Sequence, residues 1–359
     1  MATDAVSPSR GPIQRRLLAL LEEGVGSRSF ATGLASRSSL GPCILTVRQH
    51  SPGEPDGGLA EAERWLAAQP EVEEVAAKNA HLHVRVTTAA LRSWLSDAYA
   101  DSGGATTEAR VSTQVAVPRE GRPCSLSCFR RIAVGYAVGP ALSANGVAAT
   151  VTSYDGEDVR VAAAATDAGG ERMVEVAEVD ARHDRLRARH GGVVTVEDLL
   201  DDLEGDAATQ RWGESYPRAL LHFLMTGVPR QKRMPLDDQG FRRREAELDE
   251  ILAARELARA GGSAGADSSS QAEDDDCVRE LIAGVESVDG MVGRTAHQLD
   301  PAPLNRLAGS MAQAVAGAES ALQAGDPLWE ASANALDRVL RVLNADVPDR
   351  GANTTALAA

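Results

Sequence analysis

The strongest constraint on the fold is a hydrophobic stripe in the C-terminal part of the chain. From about residue 217, apolar side chains recur at intervals of three, four or seven residues, which places them on one face of an α-helix. The stripe consists of two sets, one of Leu304, Leu307, Met311, Val315 and Leu322 and the other of Leu336, Leu340 and Leu343. We therefore predict an all-α helical bundle over residues 213–350, in which packing alone accounts for the stripe.

The first hundred residues have a mixed pattern. "IQRRLLALLEE" and "LAEAERWLAAQ" predict amphipathic helices, while "VEEVAA" and "HLHVRV" predict two short strands. Thr87 can cap a following helix that presents Leu91, Trp94 and Leu95 on one face. These features predict an α+β domain over residues 1–100, and the small polar residues after it predict a linker over 101–122.

Residues 123–212 predict a short α/β segment. "RIAVGYAVGPALSANG" is typical of a helix and "VAATVTSYD" of a strand, whereas "GGERMV" reads as a turn. Thr195 and Asp198 have the spacing of a capping box before the apolar residues Leu199, Leu200 and Leu203. A βαβ unit takes roughly thirty residues or more, so at most about two fit between Cys128 and Arg185.

Composition excludes several classes of protein. The 359 residues contain no apolar run long enough to span a membrane, and four cysteines are too few for a disulfide framework. "MATDAVSPSRGPIQRR" lacks the apolar stretch of a secretory signal, so we expect a cytoplasmic protein with reduced thiols. Residues 261–276, "GGSAGADSSSQAEDDD", predict a disordered loop. Residues 351–359 are treated as a tail.

The net charge of −15 argues against a strongly electrostatic, sequence-blind nucleic-acid binder and against a DNA partner, although it leaves room for a local basic site. The best candidate is a basic cluster around the start of the helical region. It consists of Arg230, Lys232, Arg233, Arg242, Arg243 and Arg244. Arginine suits phosphate contacts through its planar guanidinium group, but a solvated helix face explains the same pattern equally well. Against base recognition, only two aromatic residues, Phe241 and Trp329, follow residue 240.

"RLRARHGGVVTVEDLLDDLEGDA" resembles the segment of arginyl-tRNA synthetases that contains the KMSKR motif and the sequence after it. Other stretches resemble the same family in the same order. "PEVEEVAAKNAHLHVRVTTAALRSWL" is similar to the end of its N-terminal additional domain, and "PCSLSCFRRIAVGYAVGPALSANGVAATVTSYDGED" to its HIGH motif region. "RALLHFLMTGVPRQKRMPLDD" and "ELIAGVESVDGMVGRTAHQLDPAPLNRLAGSMAQAV" resemble its DALR-type anticodon-binding domain, and "LRVLNADVPDR" its terminal helix.

The resemblance implies a fold with three parts. These are an additional-domain-like α+β part, a shortened remnant of the α/β (Rossmann-like) catalytic domain and an anticodon-binding-like helical bundle. The catalytic motifs are degraded, since Ser125 and Cys128 occupy the positions of the two histidines of HIGH and Ser127 that of the glycine between them. Arg185 and Ala188 stand at the lysines of KMSKR. In the DALR motif, Arg218 replaces the aspartate and Leu221 the arginine.

We therefore expect no arginyl-adenylate formation and no bound cofactor, ATP included, because activation needs preorganised donors around the phosphate. Cys124 and Cys128 could suggest zinc, with His81, His83, His183 or His190 completing the site. One cysteine pair without a matched second pair does not define such a site, and we favour ordinary thiols and no metal.

Three hypotheses remain. The first is a non-catalytic synthetase paralogue that binds tRNA or a protein partner. The second is a specialised ligase or transferase acting on arginine or arginyl-tRNA, with Cys128 or Cys124 as nucleophile. The third is a protein-interaction adaptor in which tRNA binding has decayed. The first combines the ordered resemblance with the missing catalytic groups, and we favour it.

Overall fold

The computed structural model describes most of the chain. The described residues are 11–26, 30–38, 40–49, 57–78, 80–101, 125–145, 148–154, 158–164, 170–181, 195–204, 207–262 and 271–347. The chain divides into two compact units. The first comprises Met1–Thr106, Ala254–Gly290 and Ser310–Ala335, and the second Thr107–Ala253, Met291–Gly309 and Leu336–Ala359.

The first unit contains an antiparallel sheet with helices, as the α+β prediction required. Its N-terminal elements are α1 (Pro12–Val25), β1 (Phe30–Ser38), β2 (Gly41–Gln49), α2 (Gly57–Ala67), β3 (Val72–Lys78), β4 (His81–Val86) and α3 (Thr88–Asp101). The strand order is β1-β2-β4-β3. Val84 of β4 lies opposite Leu45 of β2 and Val75 of β3. The helices α1, α2 and α3 and the strands β3 and β4 all match predicted elements.

Burial follows the predicted helical and strand periods. Leu82, Val84 and Val86 are buried on one face of β4. Thr87 caps α3, because its hydroxyl accepts a hydrogen bond from the N–H of Ala90 at 3.2 Å. Strands β1 and β2 were not predicted. "FATGLASRS" has no regular apolar alternation, and its strand state depends on pairing with β2 along the length of both strands.

The second unit begins with a helix and an antiparallel meander. Its elements are α4 (Leu126–Ala144), β5 (Ala148–Tyr154), β6 (Asp158–Ala164), β7 (Gly170–Val174), β8 (Val179–Ala181), α5 (Val196–Glu204), α6 (Ala207–Trp212), α7 (Tyr216–Thr226) and β9 (Met234–Leu236). Helix α4 and strand β5 agree with the sequence patterns. The only parallel pair among the described strands is β8 with β9.

Two predictions for this segment are wrong. The strands β5, β6 and β7 pair antiparallel in sequence order, so these three strands do not form the parallel sheet of a Rossmann-like segment. Only three residues separate β5 from β6 in sequence, and five separate β6 from β7. A parallel crossover connection needs a dozen residues or more. "GGERMV" contributes strand β7 instead of a turn. Pairing with β6 decides its conformation, since "GERMV" by itself has no alternating pattern.

The C-terminal part is helical, as predicted. Its helices are α8 (Asp238–Arg259), α9 (Gln271–Gln298), α10 (Ala302–Gly317) and α11 (Pro327–Val342), and they contribute residues to both units. The predicted stripe is buried except for Leu307, which is half-buried. Helix α9 begins at Gln271, so residues 271–276 of the predicted disordered loop are helical. Residues 263–270 of that loop and the tail lie outside the described residues.

Candidate nucleic-acid interface

The positions that resemble the HIGH motif form the first turn of α4. Ser125 is the N-cap residue, and its hydroxyl accepts a hydrogen bond from the N–H of Cys128 at 3.2 Å. The hydroxyl of Ser127 accepts one from the N–H of Val179 at 3.0 Å, just as β8 begins. Both hydroxyls therefore act as acceptors for backbone N–H groups, one in the first turn of α4 and one at the start of β8.

The segment after the KMSKR-like stretch meets this helix start. Ser125 and Thr195 form an isolated antiparallel bridge. Thr195 then begins α5 through the predicted capping box. Its N–H donates to the Asp198 carboxylate at 2.8 Å, and the N–H of Asp198 donates to the Thr195 hydroxyl at 3.3 Å. Arg185 and Ala188 lie outside the described residues, as do His183 and His190.

Arg130, two residues after Cys128, was not recognised from the sequence as important. Its guanidinium is fully buried and donates hydrogen bonds to five backbone carbonyls. The acceptors are Ala177 at 2.7 Å, Lys232 at 2.9 Å, Pro229 at 3.1 Å, Val228 at 3.3 Å and Glu178 at 3.4 Å. Burial lowers the pKa of Arg130 to about 10, with Asp300 acting in the opposite direction. The group therefore stays cationic at neutral pH.

Residues 228–233, which we call the basic loop, carry three of the six predicted cations. Arg230 is half-buried, and Lys232 and Arg233 are exposed. Arg230 donates to the carbonyl of Glu175 at 3.0 Å. Arg233 lies 3.7 Å from the Glu178 carboxylate, and both side chains are largely exposed, at 75% and 67%. Such a pair is easily exchanged for another anion in water.

The other three predicted cations lie on α8 and differ from one another. Arg242 and Arg243 are exposed. Arg244 instead joins parts of the second unit, because its guanidinium donates to Glu247 at 2.8 Å, to the carbonyl of Gly227 at 3.0 Å and to Asn305 at 3.3 Å. Arg244 is therefore occupied within the protein.

The aromatic side chains of the helical part are not presented to a ligand. From residue 207 onward, every aromatic residue that the structure describes is buried. These residues are Trp212, Tyr216, Phe223, Phe241 and Trp329. Stacking on aromatic rings is the usual way that proteins hold unpaired bases. The described helical region offers no such platform.

The altered DALR positions fit their surroundings. Leu221 is fully buried in α7, while Arg218 is exposed on the same helix. An arginine at 221 would bury a charge, so leucine there suits the core. The neighbouring His222 lies against Phe129 and Tyr136, with its Nε2 atom 3.1 Å from the Asn344 amide nitrogen. Burial, with Arg218 acting in the same direction, lowers the pKa of His222 to about 4.

The described residues contain no group of three or more histidine, cysteine or acidic side chains arranged to hold a metal ion. His81 and His83 are half-buried on β4. Cys128 is half-buried, without a disulfide, in the first turn of α4. Cys124 lies outside the described residues. Within the described part of the chain, no helix is long and apolar enough to cross a membrane.

Comparison with solved structures relates this architecture to a known one. The structure is similar to "Thermus thermophilus arginyl-tRNA synthetase", with a TM-score of 0.57 over 94% of this chain and 99% of that chain. The chain has an arginyl-tRNA synthetase-like fold. The two sequences are 11% identical, so the likeness concerns the fold. No protein-family model and no curated protein sequence matches the chain. The synthetase-like fold confirms the resemblance inferred from the ordered sequence segments.

Proposed function

We propose that this protein is a non-catalytic arginyl-tRNA synthetase-like protein that binds tRNA through its second unit. The synthetase-like fold supports the relationship, and the first turn of α4 carries the proposal for lost activity. A hydroxyl at Ser125 and a thiol at Cys128 stand there in place of the two imidazoles, and Ser127 stands in place of the glycine between them. Neither Ser125 nor Cys128 supplies the ring N–H donors of an imidazole to a phosphate, and the Ser125 side chain is the N-cap of α4.

The chemistry makes this loss severe. Amino-acid activation places developing charge on the α-phosphate of ATP, and each preorganised donor there typically contributes about 10²- to 10³-fold in rate. Losing two imidazoles together with the lysine at position 188 removes several such donors. The residual rate of arginyl-adenylate formation should therefore lie below detection.

The decisive experiment is arginine-dependent ATP–pyrophosphate exchange by the purified full chain. We expect no arginine-dependent signal under conditions in which an active arginyl-tRNA synthetase gives full exchange. Reproducible ATP–pyrophosphate exchange that requires arginine would overturn the proposal that the protein is non-catalytic. A Cys128→Ala variant would then show whether that thiol takes part, since the enzyme hypothesis assigns it the nucleophile.

The binding part is tested separately with tRNA. Wild type is compared with a variant in which Arg230, Lys232, Arg233, Arg242 and Arg243 are all changed to glutamine, using arginine tRNA and an unrelated tRNA. Arg244 is kept because it is occupied within the protein. We expect binding that weakens with salt and is abolished in the variant. Absence of tRNA binding at moderate salt, with ribonuclease-insensitive capture of a protein partner, would favour the adaptor hypothesis.

A further inference from the structure

We propose that the basic loop is the surface that contacts the RNA phosphate backbone, and that Arg130 is the positioning residue that holds this loop in its binding shape. The inference rests on the proposed function and narrows it. It assigns the contact to Arg230, Lys232 and Arg233, and it names the sugar-phosphate backbone as the part of the RNA that is recognised.

The loop is shaped from inside by one buried cation. Carbonyls of Val228, Pro229 and Lys232 all accept hydrogen bonds from Arg130, at 3.3, 3.1 and 2.9 Å. The N–H of Lys232 also donates to the carbonyl of Pro229 at 2.9 Å, which closes a turn. Because these carbonyls face a fully buried guanidinium, the loop backbone is anchored inward while the Lys232 and Arg233 side chains stay exposed.

The same guanidinium ties the loop to the adjoining strand. Arg130 donates to the carbonyls of Ala177 and Glu178, and the N–H of Ala177 donates to the carbonyl of Arg230 at 2.8 Å. Strand β8 then pairs with β9 directly after the loop. The basic loop is therefore held at both ends, and a fixed set of cations loses less conformational entropy when it binds an anion.

The charges around the loop permit an incoming phosphate. Among the described residues, Arg230 contacts a carbonyl and no carboxylate, and a carbonyl does not neutralise its positive charge. Glu178 is the one carboxylate paired with a loop cation among the described residues, at 3.7 Å from Arg233 and exposed. Glu175, whose carbonyl accepts the hydrogen bond from Arg230, and Asp237, which directly follows β9, are also exposed. A phosphate group can replace the Glu178 contact at little cost because exposed ion pairs are weak.

The surroundings favour backbone over base recognition. Phosphate contacts position a nucleic acid without reading its sequence, whereas bases need stacking or edge contacts. The described aromatic residues of the helical region are buried, so stacking is not offered there. We therefore expect the basic loop to distinguish little between arginine tRNA and an unrelated tRNA.

The chain offers a direct test because it contains only two lysines, Lys78 and Lys232. Both are exposed, Lys78 on β3 of the first unit and Lys232 in the basic loop. Acetylation of the full chain by an amine-reactive reagent, with and without tRNA, is measured at each lysine by mass spectrometry. We expect tRNA to slow acetylation of Lys232 several-fold and to leave Lys78 unchanged. Lys78 thus serves as the internal control.

Variants of surface residues test the energetics without touching the core. Arg230→Gln, Lys232→Gln and Arg233→Gln are combined in one protein, and the matched control combines Arg16→Gln, Arg64→Gln and Lys78→Gln, which removes the same charge from the first unit. We expect the loop variant to bind tRNA about tenfold more weakly, with a salt slope shallower by about one for each phosphate that the loop no longer neutralises. The control should bind like wild type.

The role of Arg130 is tested with Arg130→Met and Arg130→Lys. Lysine retains the charge but cannot satisfy five carbonyls, so both variants should lose the tRNA-dependent protection of Lys232 and show the shallower salt slope. Thermal unfolding identifies any Arg130 variant that does not fold. In that case the triple variant of the basic loop and its matched control decide whether the loop binds tRNA. If tRNA binds but changes the acetylation rates of Lys232 and Lys78 by the same factor, this inference is overturned and the proposed tRNA binding stands. Absence of any tRNA binding would overturn the proposed RNA function and this inference together.

Discussion

Glu286 shows how a single residue can fix the position of a helix. It is almost fully buried on α9, and its carboxylate accepts hydrogen bonds from the N–H groups of Ile13 at 3.1 Å and Gln14 at 3.0 Å. These N–H groups belong to the first turn of α1, where no helical carbonyl can pair with them. The carboxylate thus caps the N-terminus of α1, although Glu286 is more than 270 residues away in sequence.

Gly11 leaves the space that this carboxylate occupies. A Cβ atom at Gly11 would lie 2.2 Å from the Glu286 Oε1 atom. We therefore expect Gly11→Ala to displace the carboxylate and lower the free energy of unfolding by about 2 kcal/mol, the scale of hydrogen bonds to a charged group. The φ angle of Gly11 is −66°, so backbone strain does not contribute. Urea unfolding measures the effect, and an unchanged midpoint would contradict it.

At the scale of elements, the best predictions came from patterns that act locally. The capping box of Thr195 and Asp198, the Thr87 cap and the leucine periods each depend on residues within one turn of helix, and the structure confirms them. Strand β1 and the antiparallel order of β5, β6 and β7 depend on partners elsewhere in the chain. No local pattern in "FATGLASRS" or "GERMV" specifies those partners.

The capping box gives a prediction for α5. Thr195→Ala removes the hydroxyl that accepts from the N–H of Asp198, so we expect the free energy of unfolding to fall by about 1 kcal/mol. Thr195→Ser keeps the hydroxyl and is the matched control, expected to lie close to wild type. Chemical denaturation followed by fluorescence compares the three proteins. Equal losses in both variants would show that the methyl group, rather than the cap, is what matters.

The candidate site was only partly predictable, because some of its contacts also depend on partners far away in the chain. The positions of Ser125, Ser127 and Cys128 followed from the order of motifs along the chain. The role of Arg130 did not, because its five acceptors come from two segments that approach α4 only in the folded chain. An arginine inside the apolar stretch "CFRRIAVGY" is the one signal that the sequence offered.

At the scale of the whole molecule, buried titratable groups give the two units opposite responses to pH. Burial raises the pKa of Glu286 in the first unit to about 7, although the N–H groups of Gln14 and Ile13 oppose this. The folded state then binds more protons than the unfolded state between about pH 4.5 and 7. The contribution of Glu286 to the stability of the first unit therefore falls as pH rises through that range. For His222 in the second unit, burial lowers the pKa to about 4, so stability falls as pH drops from about 6.5 to 4.

Amide hydrogen exchange at pH 5 and pH 7, corrected for the intrinsic rate, measures both responses in one protein. We expect the backbone amides of α1 to be more strongly protected from exchange at pH 5, and those of α7 at pH 7. Glu286→Gln should remove the pH dependence in α1 and leave that in α7 unchanged. Protection that changes in the same direction in both helices would contradict the assignment.

The hydrogen bonds that anchor the basic loop also determine at which stage of folding the loop can adopt its shape. The hydrogen bonds of Arg130 join residues that are 47 to 102 positions apart in sequence. Contacts of such long range form late in folding, because long stretches of chain must first be brought together. A chain still emerging from the ribosome therefore carries the same three cations without their arrangement. The loop acquires its shape only when α4 and the strand beside it have assembled.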